Sequence, residues 1–110
     1  MSEKTTFKSQ IELFNYIWAT RPHKSEISGQ SLDNVPDYLW LNCFAHILPK
    51  GKYPKWKYEA ENIMLLLPIE HILVDAGTID ERKAYEEENK CSFQKFYDKK
   101  DELRILDRTK

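Results

Sequence analysis

The chain has 110 residues, of which 41% are hydrophobic, 32% charged and 13% aromatic, and its net charge is −1. This composition supports a packed core and excludes a disordered tail, which would lack such aromatic content. No apolar run approaches the ~20 residues of a membrane-spanning helix.

The opening "MSEKTTFKSQ" has no apolar secretion segment, so one cytoplasmic domain, residues 1–110, is expected. Cys43 and Cys91 stand far apart, without the spacing of a disulfide framework, and read as ordinary core or surface residues. Phe7, Ile11, Phe14, Ile17 and Trp18 recur at helical spacing and predict a helix with one apolar face. Ser9 and Glu12 have capping-box spacing, Thr5 or Thr6 would cap an earlier start, and Pro22 predicts an end near Thr20. Residues 21–36 hold Pro22, Gly29 and Pro36 and read as a loop or tight hairpin.

Asn42 to Leu48 reads as a strand that stops at Pro49 and Gly51. The lysine-rich loop "PKGKYPKWKY" follows. Ile63 to Leu67 is a short continuous apolar run, as in a buried strand. Pro68 suits the first turn of a helix, which Gly77 would end. Thr78 and Glu81 have capping-box spacing for the next helix. From Ile79 to about Leu106 the chain reads as charged helix, with a break near Asn89 to Ser92 and an apolar face of Phe93, Phe96, Tyr97, Leu103 and Leu106. The expected fold is α+β: a strand–strand–helix unit over about residues 42–77, flanked by an N-terminal helix and one or two C-terminal helices.

The chemistry-bearing residues gather in that unit. His46 ends the first strand, Asn62 begins the second, and His71 lies on the helix. Asp75 follows His71 by four residues and shares its helix face. Such a pair can grip a divalent ion or form a surface ion pair. Lys50, Lys52, Lys55 and Lys57 have no acid among them and are interleaved with Tyr53, Trp56 and Tyr58. A basic loop on a near-neutral chain suits a phosphate backbone, although exposed lysines are often merely solvated. Arg21 is a further phosphate candidate, and His23 reads as structural or exposed.

The segments "CFAHILPKG", "ENIMLLL" and "PIEH" resemble the HNH endonucleases, or ββα-metal nucleases. The resemblance implies a ββα-metal core in which His46 is the general base and Asn62 orients the base or its loop. It implies that His71 ligates one divalent metal, Mg, Mn, Ni or Zn, with Asp75 as a second ligand. The family commonly has Asp or His just before the base, whereas this chain has Ala45. Cys43, with the strand parity of Ala45, is a weaker substitute than Asp75. Zinc-stapled members carry C-x-x-C-G upstream of the base and a second C-x-x-C before the last histidine. Ser25, Ser28, Leu67 and Glu70 occupy those positions here. The resemblance therefore implies a knuckle-like turn without structural zinc, with Ser25 to Gly29 close to Leu67 to Glu70.

The implied function is metal-dependent DNA cleavage leaving 5′-phosphate and 3′-hydroxyl ends, with the lysine loop on the backbone. Small size resembles the stand-alone HNH proteins of phages and mobile elements, which work in the host cytoplasm. The alternative is a catalytically inactive HNH scaffold that binds nucleic acid or a host protein, and a third reading is a structural helical domain.

Overall fold

The computed structural model describes residues 7–109. The described residues form a small α+β fold built around one antiparallel hairpin. In chain order the elements are α1 (Gln10–Thr20), β1 (Phe44–His46), β2 (Ile63–Leu65), α2 (Pro68–Ala76), α3 (Ile79–Asn89) and α4 (Gln94–Asp107). A 3₁₀ segment, Asp37–Cys43, leads into β1, and two single 3₁₀ turns interrupt the long β1–β2 loop.

The hairpin pairs Phe44 with Leu65, Ala45 with Met64 and His46 with Ile63. Successive strand residues point to opposite faces, and both faces of this hairpin are covered. Phe44, Ile63 and Leu65 join Leu13, Phe14 and Ile17 of α1 in one apolar cluster. Ala45, Ile47, Met64 and Leu66 join Trp56 and the α4 residues Phe96 and Leu103 in a second. This explains the unbroken apolar run at Ile63 to Leu66: a strand covered on both sides has no polar face to show. His46 has the parity of Phe44 and so belongs to the α1 side.

Several sequence expectations shift in position. Of the capping box expected at Ser9 and Glu12, the Ser9 half is present, its hydroxyl accepting from the Glu12 amide at 3.2 Å. The alternative caps Thr5 and Thr6 lie outside the described residues. Leu13 is fully buried, while Ile11 is 52% exposed. The expected first strand, Asn42 to Leu48, is only three residues long, because the 3₁₀ segment beginning after Pro36 runs through Cys43. It also breaks the alternation that would put Cys43 on the side of Ala45; Cys43 packs with Phe44 instead. The second strand is likewise trimmed to Leu65, although the Leu66 amide still donates to Cys43 O at 2.9 Å. Leu106, expected in the α4 face, is exposed.

The helix ends follow local chemistry. Thr78 and Glu81 form a reciprocal capping box at the start of α3. Lys90 adopts a left-handed conformation (φ 52°) and ends α3, producing the expected break. Gly77 ends α2 for want of space: a Cβ there would lie 2.7 Å from Leu73 O. Arg82 caps the same helix end, donating to Leu73 O at 3.0 Å and Gly77 O at 2.7 Å.

Residues 21–36 form a tight hairpin. The Gly29 amide donates to Ser25 O at 2.9 Å, and Gly29 takes φ +76°, where a side chain is strained. The buried Ser25 hydroxyl accepts from the Ile27 and Ser28 amides and donates to Glu70 Oε1 at 2.5 Å. Glu70 is fully buried. Its Oε1 also accepts from the Leu67 amide at 2.8 Å, and its Oε2 from Tyr85 OH at 2.7 Å. One carboxylate thus joins the 25–29 turn, the start of α2 and the middle of α3.

Glu70→Ala orphans three donors, and Ser25→Ala takes an acceptor from two amides and a donor from Glu70. A group left unsatisfied in the interior costs about 1–3 kcal/mol. Thermal and urea unfolding are expected to show Glu70→Ala losing about 3 kcal/mol or more, and Ser25→Ala losing less. Equal midpoints for native and Glu70→Ala chains would contradict this account.

Candidate active site

Three elements and the loop after β1 converge on one cleft of about 390 Å³. β1 contributes His46, α2 contributes His71, and the loop contributes Lys50. Gln10, Ile11 and Phe14 of α1, with Leu41 and Phe44, complete the walls. The sequence-predicted His46, His71 and Lys50 are therefore brought together. Asp75 joins them through His71, with 3.0 Å between its Oδ2 and His71 Nε2.

The two histidines are oriented by different nitrogens. His46 Nε2 lies 3.3 Å from Lys57 O. A carbonyl only accepts, so Nε2 carries the proton and Nδ1 holds the lone pair. His71 is reversed: Nδ1 lies 2.8 Å from Asn42 O and Nε2 faces Asp75. Both His71 nitrogens thus face groups that only accept. Nε2 and the Asp75 carboxylate are in direct contact across one turn of α2, an i, i+4 pair. Among the described residues no group of three or more His, Cys, Asp or Glu side chains is placed to hold a metal.

Burial is the main influence on His46 and holds its imidazolium below the ordinary histidine pKa of 6.5. The hydrogen bond to Lys57 O opposes this, the positive charges at Lys50 and His71 reinforce it, and Asp75 opposes it more weakly. Burial also raises Cys43 to about 11, so it stays a thiol and is a poor ligand. Ala45, next to the base position, is fully buried in the α4-side cluster, facing away from His46.

Asn62 stands outside the cleft and shapes it. It is fully buried. Its Oδ1 accepts from the Leu48 amide at 2.7 Å, and its Nδ2 donates to Leu48 O at 3.0 Å and Trp56 O at 3.3 Å. It therefore clamps both ends of the segment that carries Lys50, Lys52 and Lys55.

The lysines do not act as one patch. Lys50 lines the cleft. Lys52 lies over Tyr53 and Lys57 over Tyr58, at 5.9 and 5.0 Å from the ring centres. Lys55 turns toward α4, 3.8 Å from Asp107, which also accepts from Trp56 Nε1 at 2.9 Å. Arg21 is committed inside the fold, donating to Glu26, Ala60 O and Ile63 O. His23 is structural, stacked on Trp18 with ring centres 3.8 Å apart. Sequence reasoning missed the Asn42 and Lys57 carbonyls, because a main-chain acceptor carries no residue signature.

The chain matches no family model, no curated protein and no solved structure.

Two measurements test this geometry. An NMR titration is expected to place the His46 pKa below 6.5, and Lys50→Ala to raise it, because losing a nearby cation favours the imidazolium. A native value at or above 6.5 would contradict the burial described. Asn62→Ala leaves the Leu48 amide without its acceptor and is expected to cost about 2 kcal/mol in urea unfolding.

Proposed function

We propose that the protein is a metal-dependent endonuclease that hydrolyses DNA phosphodiester bonds on an HNH-type ββα core. One observation carries this reading: His46, Lys50 and His71, from a strand, a loop and a helix, meet at one cleft, and Asp75 pairs with His71 beside it. The strand–strand–helix order and the Asn62 clamp on the intervening loop support it, as does the joining of the 25–29 turn to the start of α2 where a zinc-stapled relative would hold its metal.

The residues fit a divalent ion as a two-ligand site. With the Nδ1 proton on Asn42 O, the Nε2 lone pair and the Asp75 carboxylate offer an imidazole and an oxygen ligand. Imidazole suits Mn²⁺, Ni²⁺ or Zn²⁺ better than Mg²⁺. When bound, the metal would supply charge neutralisation at the phosphate and the leaving oxygen.

The chain's own groups do the rest. His46 Nδ1 takes a proton from water, while Nε2–H on Lys57 O holds the ring in place. The water oxygen bonds to phosphorus, the P–O3′ bond breaks, and the leaving oxygen takes a proton from solvent. Lys50 holds the phosphate beside the base. Its charge and the burial of His46 keep the base neutral, so activity should persist at pH values where an ordinary histidine is largely protonated.

The second reading, an inactive scaffold binding nucleic acid or a protein, is favoured by Ala45, which supplies no ligand. Cleavage of circular DNA, supercoiled plasmid or single-stranded, with Mg²⁺, Mn²⁺ or Ni²⁺ separates the two. Cleavage is expected, with His46→Ala losing about 10²–10⁴-fold in rate and Asp75→Asn requiring more metal. No cleavage with any of these metals, or none sensitive to His46→Ala, would overturn the enzyme reading.

A further inference from the structure

The cleft has two unlike walls. The β1–β2 loop brings Lys50 to one side, beside His46 and His71. The other side is apolar, where Ile11 of α1 and Leu41 of the 3₁₀ segment are 52% and 50% exposed. α1 has no basic residue, and its first turn carries Glu12. The nearest cation in sequence, Lys8, lies ahead of the helix.

Tyr38 extends this wall. It stands three residues before Leu41 in the 3₁₀ segment, and residues three apart eclipse in a 3₁₀ helix. It therefore shares the face of Leu41 and is 84% exposed, with its ring open to solvent. Ile11 and Leu41 are half exposed at the cleft, and Tyr38, on the face of Leu41, is almost fully so.

A duplex meets a protein with phosphates from two strands and keeps the faces of its bases stacked inside. Docked here, its second backbone would meet an apolar wall with no basic side chain. An unpaired strand instead presents phosphates along one side and base faces along the other, which suits a cationic track paired with a stacking platform. We propose that the cleft takes an unpaired DNA strand, with its phosphate at Lys50, His46 and His71 and the adjoining base against Leu41 and Tyr38. The inference rests on the nuclease reading and names the form of its substrate.

The test uses one fluorescein-labelled oligonucleotide, free or annealed to its complement. Binding is read by anisotropy with the His46→Ala chain and cleavage with the native chain and Mn²⁺, Mg²⁺ or Ni²⁺. The single strand is expected to bind more tightly and be cut faster. Tyr38→Ala should weaken its binding about tenfold, and Tyr38→Phe, which keeps the ring, should restore it. Equal or better binding and cleavage of the duplex, or no effect of Tyr38→Ala, overturns the inference and leaves the nuclease reading standing. Tyr38-dependent binding of the single strand without cleavage of either form supports the strand surface and overturns the nuclease reading. No binding of either form overturns both.

Discussion

A buried carboxylate must find donors for both oxygens, and in this protein that requirement organises the lower half of the fold. Glu70 has no solvent, so Ser25, the Leu67 amide and Tyr85 must all reach it. Each donor comes from a different stretch of chain. Meeting the requirement closes the 25–29 turn, fixes the first turn of α2 and draws in α3, which buries no residue of its own. The candidate site depends on this indirectly. His71 lies one residue after Glu70, so the helix that offers His71 and Asp75 is held in rotation by its neighbour's hydrogen bonds. Packing has a matching role on the opposite side, where the hairpin is gripped between α1 and α4.

The two histidines show how main-chain carbonyls assign work to chemically identical side chains. Lys57 O takes the Nε2 proton of His46 and leaves Nδ1 with a lone pair. Asn42 O takes the Nδ1 proton of His71 and turns Nε2 toward Asp75. Exchanging these partners would exchange the exposed lone pairs. The Lys57 carbonyl is set by the loop, and Asn62 clamps that loop at Leu48 and Trp56. Asn62 thus influences His46 from a distance, through backbone geometry.

Much of the architecture was legible because its signals are local. The caps at Ser9 and Thr78, Pro68 at the start of α2 and the break before Phe93 each act within a few residues, and the apolar run from Ile63 reports burial on both faces. The misreadings share a different cause. Asn42 and Cys43 read as the start of a strand, but the turn-like backbone of Asp37–Cys43 continues up to the hairpin. Ile11 has the spacing of a core residue but falls where α1 overhangs the cleft. Arg21 and Lys55 read as free cations until tertiary contacts supply Glu26 and Asp107 as partners. Composition reports that a charge exists, while its availability to a ligand depends on residues distant in sequence. His46, His71 and Lys50 were legible by order along the chain, and their meeting in one cleft required the fold.

Ala45 shows which face of β1 can serve the cleft. Strand alternation places its side chain among Met64, Phe96 and Leu103, on the face opposite His46. A carboxylate or imidazole there would enter an apolar core, where an unpaired charge is costly. With this register, changing residue 45 alone would not deliver a ligand to the cleft. His71 and Asp75 stand four residues apart on α2, the spacing by which one helix can present two polar side chains to a common partner. The packing that buries Ala45 therefore leaves His71 and Asp75, on the helix whose first turn Glu70 holds in place, as the polar pair beside the cleft.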